Sequence, residues 1–157
     1  MPILSSYGIN FFENIRDEFW NSFNVVVAKK EGKIVAASLL IFFKKTIEIS
    51  WEGWLREYAN ISPIDATTWG IIRYGYEKGF LSIDHGRSAK DSGTYLFKKG
   101  WGTEIKPLYY QYYLNRAKEV PRIHPTNPRY RLYINTWKRL PLWLARRLGP
   151  KIIRYIH

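Results

Sequence analysis

The sequence predicts a mixed α/β (α+β) fold with a largely antiparallel central sheet flanked by helices. Three observations lead there. Strand-like runs rich in β-branched and aromatic residues follow one another closely between Val25 and Trp51. A helix with a marked beginning comes next, from Ser62 to Gly79. A short strand, a short helix and a tyrosine-rich strand then complete the order as far as Leu114.

Each element has its own local reason. Phe11, Phe12, Ile15 and Phe19 fall on one face of a helix over the first twenty residues. Val25 to Ala28 and Ile34 to Phe43 are strands separated by the Glu31-Gly32 turn, and Lys44-Lys45 turns the chain into Thr46 to Trp51, which alternates in polarity. The middle strand is apolar on both faces, which places it centrally. At the helix start Ser62 can cap, Pro63 suits the first helical position, and Asp65 stands where a capping box has its acid. Gly79 stops that helix, and Phe80 to Asp84 is the next strand, reached by a right-handed crossover. Asp91 or Ser92 can cap a short helix from Gly93 to Lys99, and Pro107 to Leu114 reads as a further strand.

Composition narrows the function classes. The chain of 157 residues fits one domain, here taken as 1–115, followed by a basic helical C-terminal extension over 116–157. There is no cysteine, so disulfides, thiolate metal sites and a cysteine nucleophile are excluded. His85, His124 and His157 are too scattered for a metal-site pattern, and no metal is expected. The longest apolar run is too short to span a bilayer, and the first ten residues do not read as a signal peptide. The expected location is cytoplasmic.

The net charge of +12 is unevenly spread. Residues 1–114 hold 14 Lys/Arg against 12 Asp/Glu, whereas residues 115–157 hold 11 against Glu119 alone. A balance of that kind suits an anionic partner: a nucleic-acid backbone such as tRNA, an anionic membrane surface, or an acidic neighbouring domain. A solvated basic tail is the plainer alternative. The Asn127-Pro128, Leu140-Pro141 and Gly149-Pro150 pairs mark three short helical pieces, with Trp143 and leucines set against arginines as in an interfacial segment.

One run of motifs carries a resemblance. Asp84-His85-Gly86-Arg87-Ser88, Ser92-Gly93-Thr94-Tyr95-Leu96-Phe97-Lys98-Lys99-Gly100-Trp101-Gly102 and Pro107-Leu108-Tyr109-Tyr110 are similar to the signature of FemAB-related proteins associated with exosortase/PEP-CTERM systems. In the tail, Asn127-Pro128-Arg129-Tyr130 and Trp137 to Leu142 resemble the same family. The resemblance implies a GNAT-like fold, equivalent to the C-terminal half of a two-domain FemAB-like protein. It implies transfer of an acyl or aminoacyl group to an amine acceptor, with an envelope or exopolysaccharide precursor as substrate. The co-substrate would be acyl-CoA or aminoacyl-tRNA, with no tightly bound cofactor. Partners would include a missing N-terminal GNAT-like half or a second copy in a homodimer, and peripheral contact with the inner membrane face. The alternative is a non-catalytic, acceptor-binding or scaffold half. In its favour, Gly53 to Ser62, the strand-to-helix connection, lacks the Gly-rich pattern that cradles the pyrophosphate of CoA.

The site expected from these motifs has Asp84, Tyr95 and Lys98 as catalytic groups. Asp84 closes a strand where such sheets splay, and its carboxylate can orient or deprotonate an amine. Its plainer role is to cap the loop or pair with Arg87. Tyr95 and Lys98 are three apart on one helix, so a general acid and a cation share a face. His85, Arg87, Ser88, Tyr109 and Tyr110 are expected to bind substrate. Arg87 offers a planar donor fork, Ser88 a hydroxyl, and the tyrosines a stacking surface. Gly86 serves backbone geometry.

Overall fold

The computed structural model describes residues 7–115, 139–141, 144, 148 and 149. The basic extension expected over 116–157, with its three helical pieces, otherwise lies outside the described residues. The chain divides into two compact units, Ile15–Pro107 and Met1–Asn14 with Leu108–His157. The first holds the sheet.

Helix α1, Ile9–Glu18, forms where the apolar spacing predicts it, and none of its residues is buried. Strands β1 (Phe23–Lys30), β2 (Lys33–Phe43) and β3 (Thr46–Trp54) make an antiparallel meander. Helix α2, Pro63–Glu77, then returns the chain to β4, Ser82–Asp84, which pairs with β3 in parallel. Sheet order is β1-β2-β3-β4, so the apolar β2 is internal as its composition requires. The β1–β2 turn works because Glu31 and Gly32 both adopt positive φ, 51° and 78°, the geometry of a tight hairpin. Helix α3, Gly93–Gly100, is capped by Ser92, whose hydroxyl accepts the Tyr95 N–H at 3.2 Å.

The core lies between the sheet and α2. Leu40, Ile47, Ile49 and Ile71 are buried together, with Val26, Phe42, Tyr74, Phe80 and Ile83 packed around them. The ring of Phe42 meets Phe80 at 4.9 Å and Tyr74 at 5.8 Å between centroids. These aromatics close the end of the core nearest the β2–β3 turn.

Three details differ from the sequence expectations. Residues 107–114 form no strand, and among the described residues the sheet has four strands rather than five. The alternating tyrosines there supply a strand-like pattern, but a strand also needs a ladder partner. The connection from β3 to α2 winds into a 3-10 helix, Arg56–Ile61, pinned to the start of β2 by Lys33. The Lys33 ammonium donates to Glu57 Oε1 at 2.9 Å and lies 5.2 Å from the Tyr58 ring centre. Finally, Ser62 does not cap α2 through its side chain. It sits in the left-handed region at φ 46°, as the joint between the two helices, where its hydroxyl makes no cap bond.

Replacing Ile71, fully buried, by Ala is expected to cost about 2–5 kcal/mol, because the cavity adds to the lost transfer energy. The melting temperature should fall by roughly 10 °C or more. Tyr76→Ala, at a side chain 87% exposed on the same helix, should leave it nearly unchanged.

Candidate functional site

The site begins with one irregularity in β3. From Thr46 to Ile49 the strand pairs with β2 in regular register, Phe42 opposite Ile47 and Leu40 opposite Ile49. The register then slips by one residue between Leu39 and Leu40, so that Leu39 faces Trp51 and Ser38 faces Glu52. Ser50 is the extra residue of a β-bulge. Because side chains alternate along a strand, one inserted residue exchanges the two faces beyond it. The clean alternation expected from Thr46 to Trp51 therefore breaks after Ile49. Glu52, in place of Trp51, lies on the face that α2 covers.

A second feature opens space beside that carboxylate. Strand β4 pairs with β3 only from Thr46↔Ser82 to Glu48↔Asp84. Beyond Glu48 no described strand continues the sheet on that side, and the chain turns away after Asp84. Gly86 makes the turn at φ 66°, a region that L side chains rarely adopt, and its N–H donates to Asp84 Oδ1 at 2.7 Å. The result is a cavity of about 450 Å³ lined by Glu48, Ile49, Ser50, Glu52, His85, Gly86, Arg87 and Lys98.

Lys98 forms the third wall, from α3. Its ammonium donates to the carbonyls of Gly86 and Arg87, at 3.2 and 3.3 Å, tying the helix to the loop. Burial lowers its pKa, and the nearby Glu52 and Asp84 carboxylates act in the opposite sense. Burial likewise depresses His85, helped by repulsion from Lys98 and opposed by Asp84. A depressed imidazole is neutral at pH 7 and offers one donor and one acceptor.

Glu52 carries the largest consequence. Burial raises its carboxyl above its ordinary value, while a hydrogen bond from Ser38 and the charge of Lys98 hold the rise in check. A partly desolvated carboxylate in a polar cleft is equipped to accept a proton. Nothing in the sequence reading singled it out. The available signals were Ser38 within an apolar strand and Glu52 at a strand end, and only the bulge brings those two positions together.

The residues expected from sequence divide into four groups. His85, Arg87 and Lys98 line the cleft together with Gly86. Asp84 borders it but is exposed and spends an oxygen on closing the loop, so the desolvated carboxylate is Glu52. Tyr95 and Ser88 do not line the cavity. Tyr95 is half-buried on α3, and the Ser88 hydroxyl is buried with no hydrogen-bond partner among the described residues. Tyr109 and Tyr110 belong to the other unit and are 88% and 59% exposed.

The N-terminus of α2 has little capacity for a diphosphate. Pro63 at the first helical position has no N–H, and Asp65 places a carboxylate in the first turn. The 3-10 helix runs directly into it, with the Ser62 N–H bonded to the Ala59 carbonyl. None of the cleft residues comes from this terminus.

Comparison with known proteins bears on the family and the fold. The family model described as acetyltransferase (GNAT) domain matches residues 5–99. Among solved structures the fold is similar to AAC(6')-Iy in complex with the bisubstrate analogue CoA-S-monomethyl-acetylneamine. That match has a TM-score of 0.55 and 10% identity, over 69% of this chain and 82% of the other. A second structure of aminoglycoside N-acetyltransferase AAC(6')-Iy, with CoA, matches at a TM-score of 0.48 and 10% identity, over 68% and 93%. No curated protein matches the chain.

A carboxyl raised by burial binds its proton more tightly in the folded than in the unfolded state. Its contribution favours folding below the ordinary Glu range and is lost as pH rises through the folded value. Glu52→Gln removes the buried charge, so the variant should melt above wild type at pH 8. The difference should close as pH falls below about 4, which melting curves across pH would show.

Proposed function

Since the chain belongs to the acetyltransferase (GNAT) domain family, we propose that its cleft transfers an acyl or aminoacyl group to an amine acceptor, with Glu52 as the general base. The observation that carries this reading is the Glu52 carboxyl itself: raised by burial, facing Lys98, and set in the wall of the cleft. An ammonium attacks an acyl carbonyl only after losing a proton. Glu52 takes that proton and releases it to solvent, and the neutral amine forms the C–N bond. The adduct nitrogen gives up its second proton, which goes to the sulfur or oxygen of the carrier as the bond from the acyl carbon to that atom breaks.

The rest of the wall suits the reactants. Glu48 and Glu52 attract a cationic amine, while Lys98 and Arg87 provide positive charge for an anionic carrier or for the developing oxyanion. The edge of β3 beyond Glu48, open among the described residues, presents backbone groups to which an extended amide-bearing ligand can pair. The FemAB-like motifs support an envelope or exopolysaccharide precursor as acceptor, handled in the cytoplasm at the inner membrane face. The basic extension would serve as the contact with anionic lipid or tRNA.

Two donors fit the class, acyl-CoA and aminoacyl-tRNA. The poor anion site at the start of α2 favours a donor held by its acyl end and its carrier's charge rather than by a diphosphate cradle. It also supports the second reading, an acceptor-binding half that works beside another GNAT-like domain or a second copy.

The test supplies the purified chain with acetyl-CoA, or with charged tRNA, and a panel of primary amines. Transfer by wild type and a loss of about 10²–10⁴-fold in kcat for Glu52→Gln are expected. The acid limb of the rate profile should lie above the ordinary Glu range, since burial raises the carboxyl. An unaltered rate in the variant would remove Glu52 as the base. Acceptor binding with no turnover on either donor would favour the second reading.

A further inference from the structure

Behind Glu52 lies a short chain of buried hydroxyls. Ser38 on β2 is fully buried, as is Thr67 on α2. The Ser38 Oγ is 3.2 Å from Glu52 Oε1 and 3.2 Å from Thr67 Oγ1. Thr67 Oγ1 in turn donates to the Ile64 carbonyl at 3.0 Å. Position in the fold explains why all three meet: the bulge at Ser50 brings Glu52 opposite Ser38, and the first turns of α2 lie over the same point of the sheet.

Proton counting gives this chain a function. A hydroxyl has one proton and can accept two. The Thr67 proton is committed to the Ile64 carbonyl, so toward Ser38 the Thr67 oxygen can only accept. The Ser38 proton consequently has two acceptors at equal distance. When Glu52 is ionised, the charge-assisted bond to the carboxylate is the stronger, and the proton points there. When Glu52 is protonated, its own O–H can donate to Ser38 Oγ, and the Ser38 proton turns to Thr67. Both protonation states are thereby hydrogen-bonded on the side of Glu52 that faces the buried Ser38 and Thr67.

We propose that Ser38 is a positioning residue for Glu52, a two-position hydroxyl that, with Thr67 as its alternate acceptor, keeps the carboxyl bonded and fixed in orientation before and after it takes a proton. The inference rests on the assignment of Glu52 as general base. A base must change protonation state twice in each turnover. With a fixed donor, a proton on Oε1 would meet the donor's own hydrogen and the carboxyl O–H would have no acceptor on this side; with a fixed acceptor, the ionised form would face a lone pair. Rotation of one hydroxyl about its C–O bond removes that conflict without moving any heavy atom.

The charged and titratable neighbours of Glu52 come from several elements. Lys98 faces it from α3; Glu48 lies on the same cleft wall in β3, and His85 and Arg87 on the loop after β4. Asp84, at the end of β4, acts on Lys98 and His85. None of these is altered by substitutions at Ser38 or Thr67, so a change in the titration of Glu52 in such variants reports on the hydroxyls.

The experiment is a carbon-13 NMR titration of the glutamate carboxyls in the full chain, with the Glu52 signal assigned by its loss in Glu52→Gln. Ser38→Ala removes the bond that favours the ionised form most, and the Glu52 midpoint should rise. Thr67→Val removes only the acceptor that the protonated arrangement uses, and the midpoint should fall. Each change should amount to about half to one pH unit, the difference between a charge-assisted and a neutral hydrogen bond. Midpoints that stay put, or that move in the same direction in both variants, would overturn the proposal. Should Ser38→Ala fail to fold, the near-isosteric Thr67→Val decides alone: a fall supports the two-position hydroxyl, and a rise or no change rejects it. The acid limb of the rate profile should follow the same opposite displacements. If Glu52→Gln keeps full activity while the NMR midpoints still move apart, the hydroxyl chain stands and the assignment of Glu52 as base falls.

Discussion

Between Leu39 and Leu40 the pairing of β2 with β3 slips by one residue, and most of what the cleft can do depends on that slip. A regular hairpin would continue with Trp51 opposite Ser38, and its large ring would occupy the face beneath α2. With Ser50 bulged out, Glu52 takes that place beside a serine and a threonine that can bond it. The bulge also increases local twist and bends its strand. On the other side, β4 pairs with β3 for only three residues before the chain turns away at Gly86. A cleft results because the sheet stops being a sheet just where a carboxylate has been turned inward.

The charges around this opening are mutually dependent. Glu52 is desolvated, which by itself disfavours its ionised form, and Lys98 is desolvated, which disfavours its own. Each offsets part of the other's burial. Lys98 does more than balance charge, since its bonds to the Gly86 and Arg87 carbonyls hold the loop that carries His85 and Arg87 into the wall. Electrostatics and loop geometry therefore meet in one side chain, and the Asp84 carboxylate supports both through its bond to the Gly86 N–H and its pull on Lys98.

The start of α2 shows the opposite choice. A helix N-terminus is a natural anion site when its N–H groups are free and glycines let a ligand approach. Here a proline removes one donor, an aspartate adds negative charge, and a 3-10 helix leads straight into it, so that end of the fold is given to packing. The Lys33–Glu57 pair and the Lys33–Tyr58 contact hold the connection down against β2.

Local sequence signals marked the three-stranded meander, the Glu31-Gly32 turn, helices α2 and α3, a cap at Asp91 or Ser92, and the loop after β4 that carries His85 and Arg87. All of these follow from local signals: alternation, capping residues, glycines and a compact motif within a few turns of chain. Tertiary structure decided what no local pattern could carry. Whether Trp51 or Glu52 faces inward depends on the bulge at Ser50, which the alternation of residues along β3 does not mark. The strand expected at 107–114 is absent because a strand exists only with a partner, and alternation cannot supply one. Ser38 looks in sequence like a small interruption of an apolar run. Only when β2, β3 and α2 meet does it become the hydroxyl that touches both Glu52 and Thr67, because hydrogen bonding depends on distance in space and not on separation along the chain.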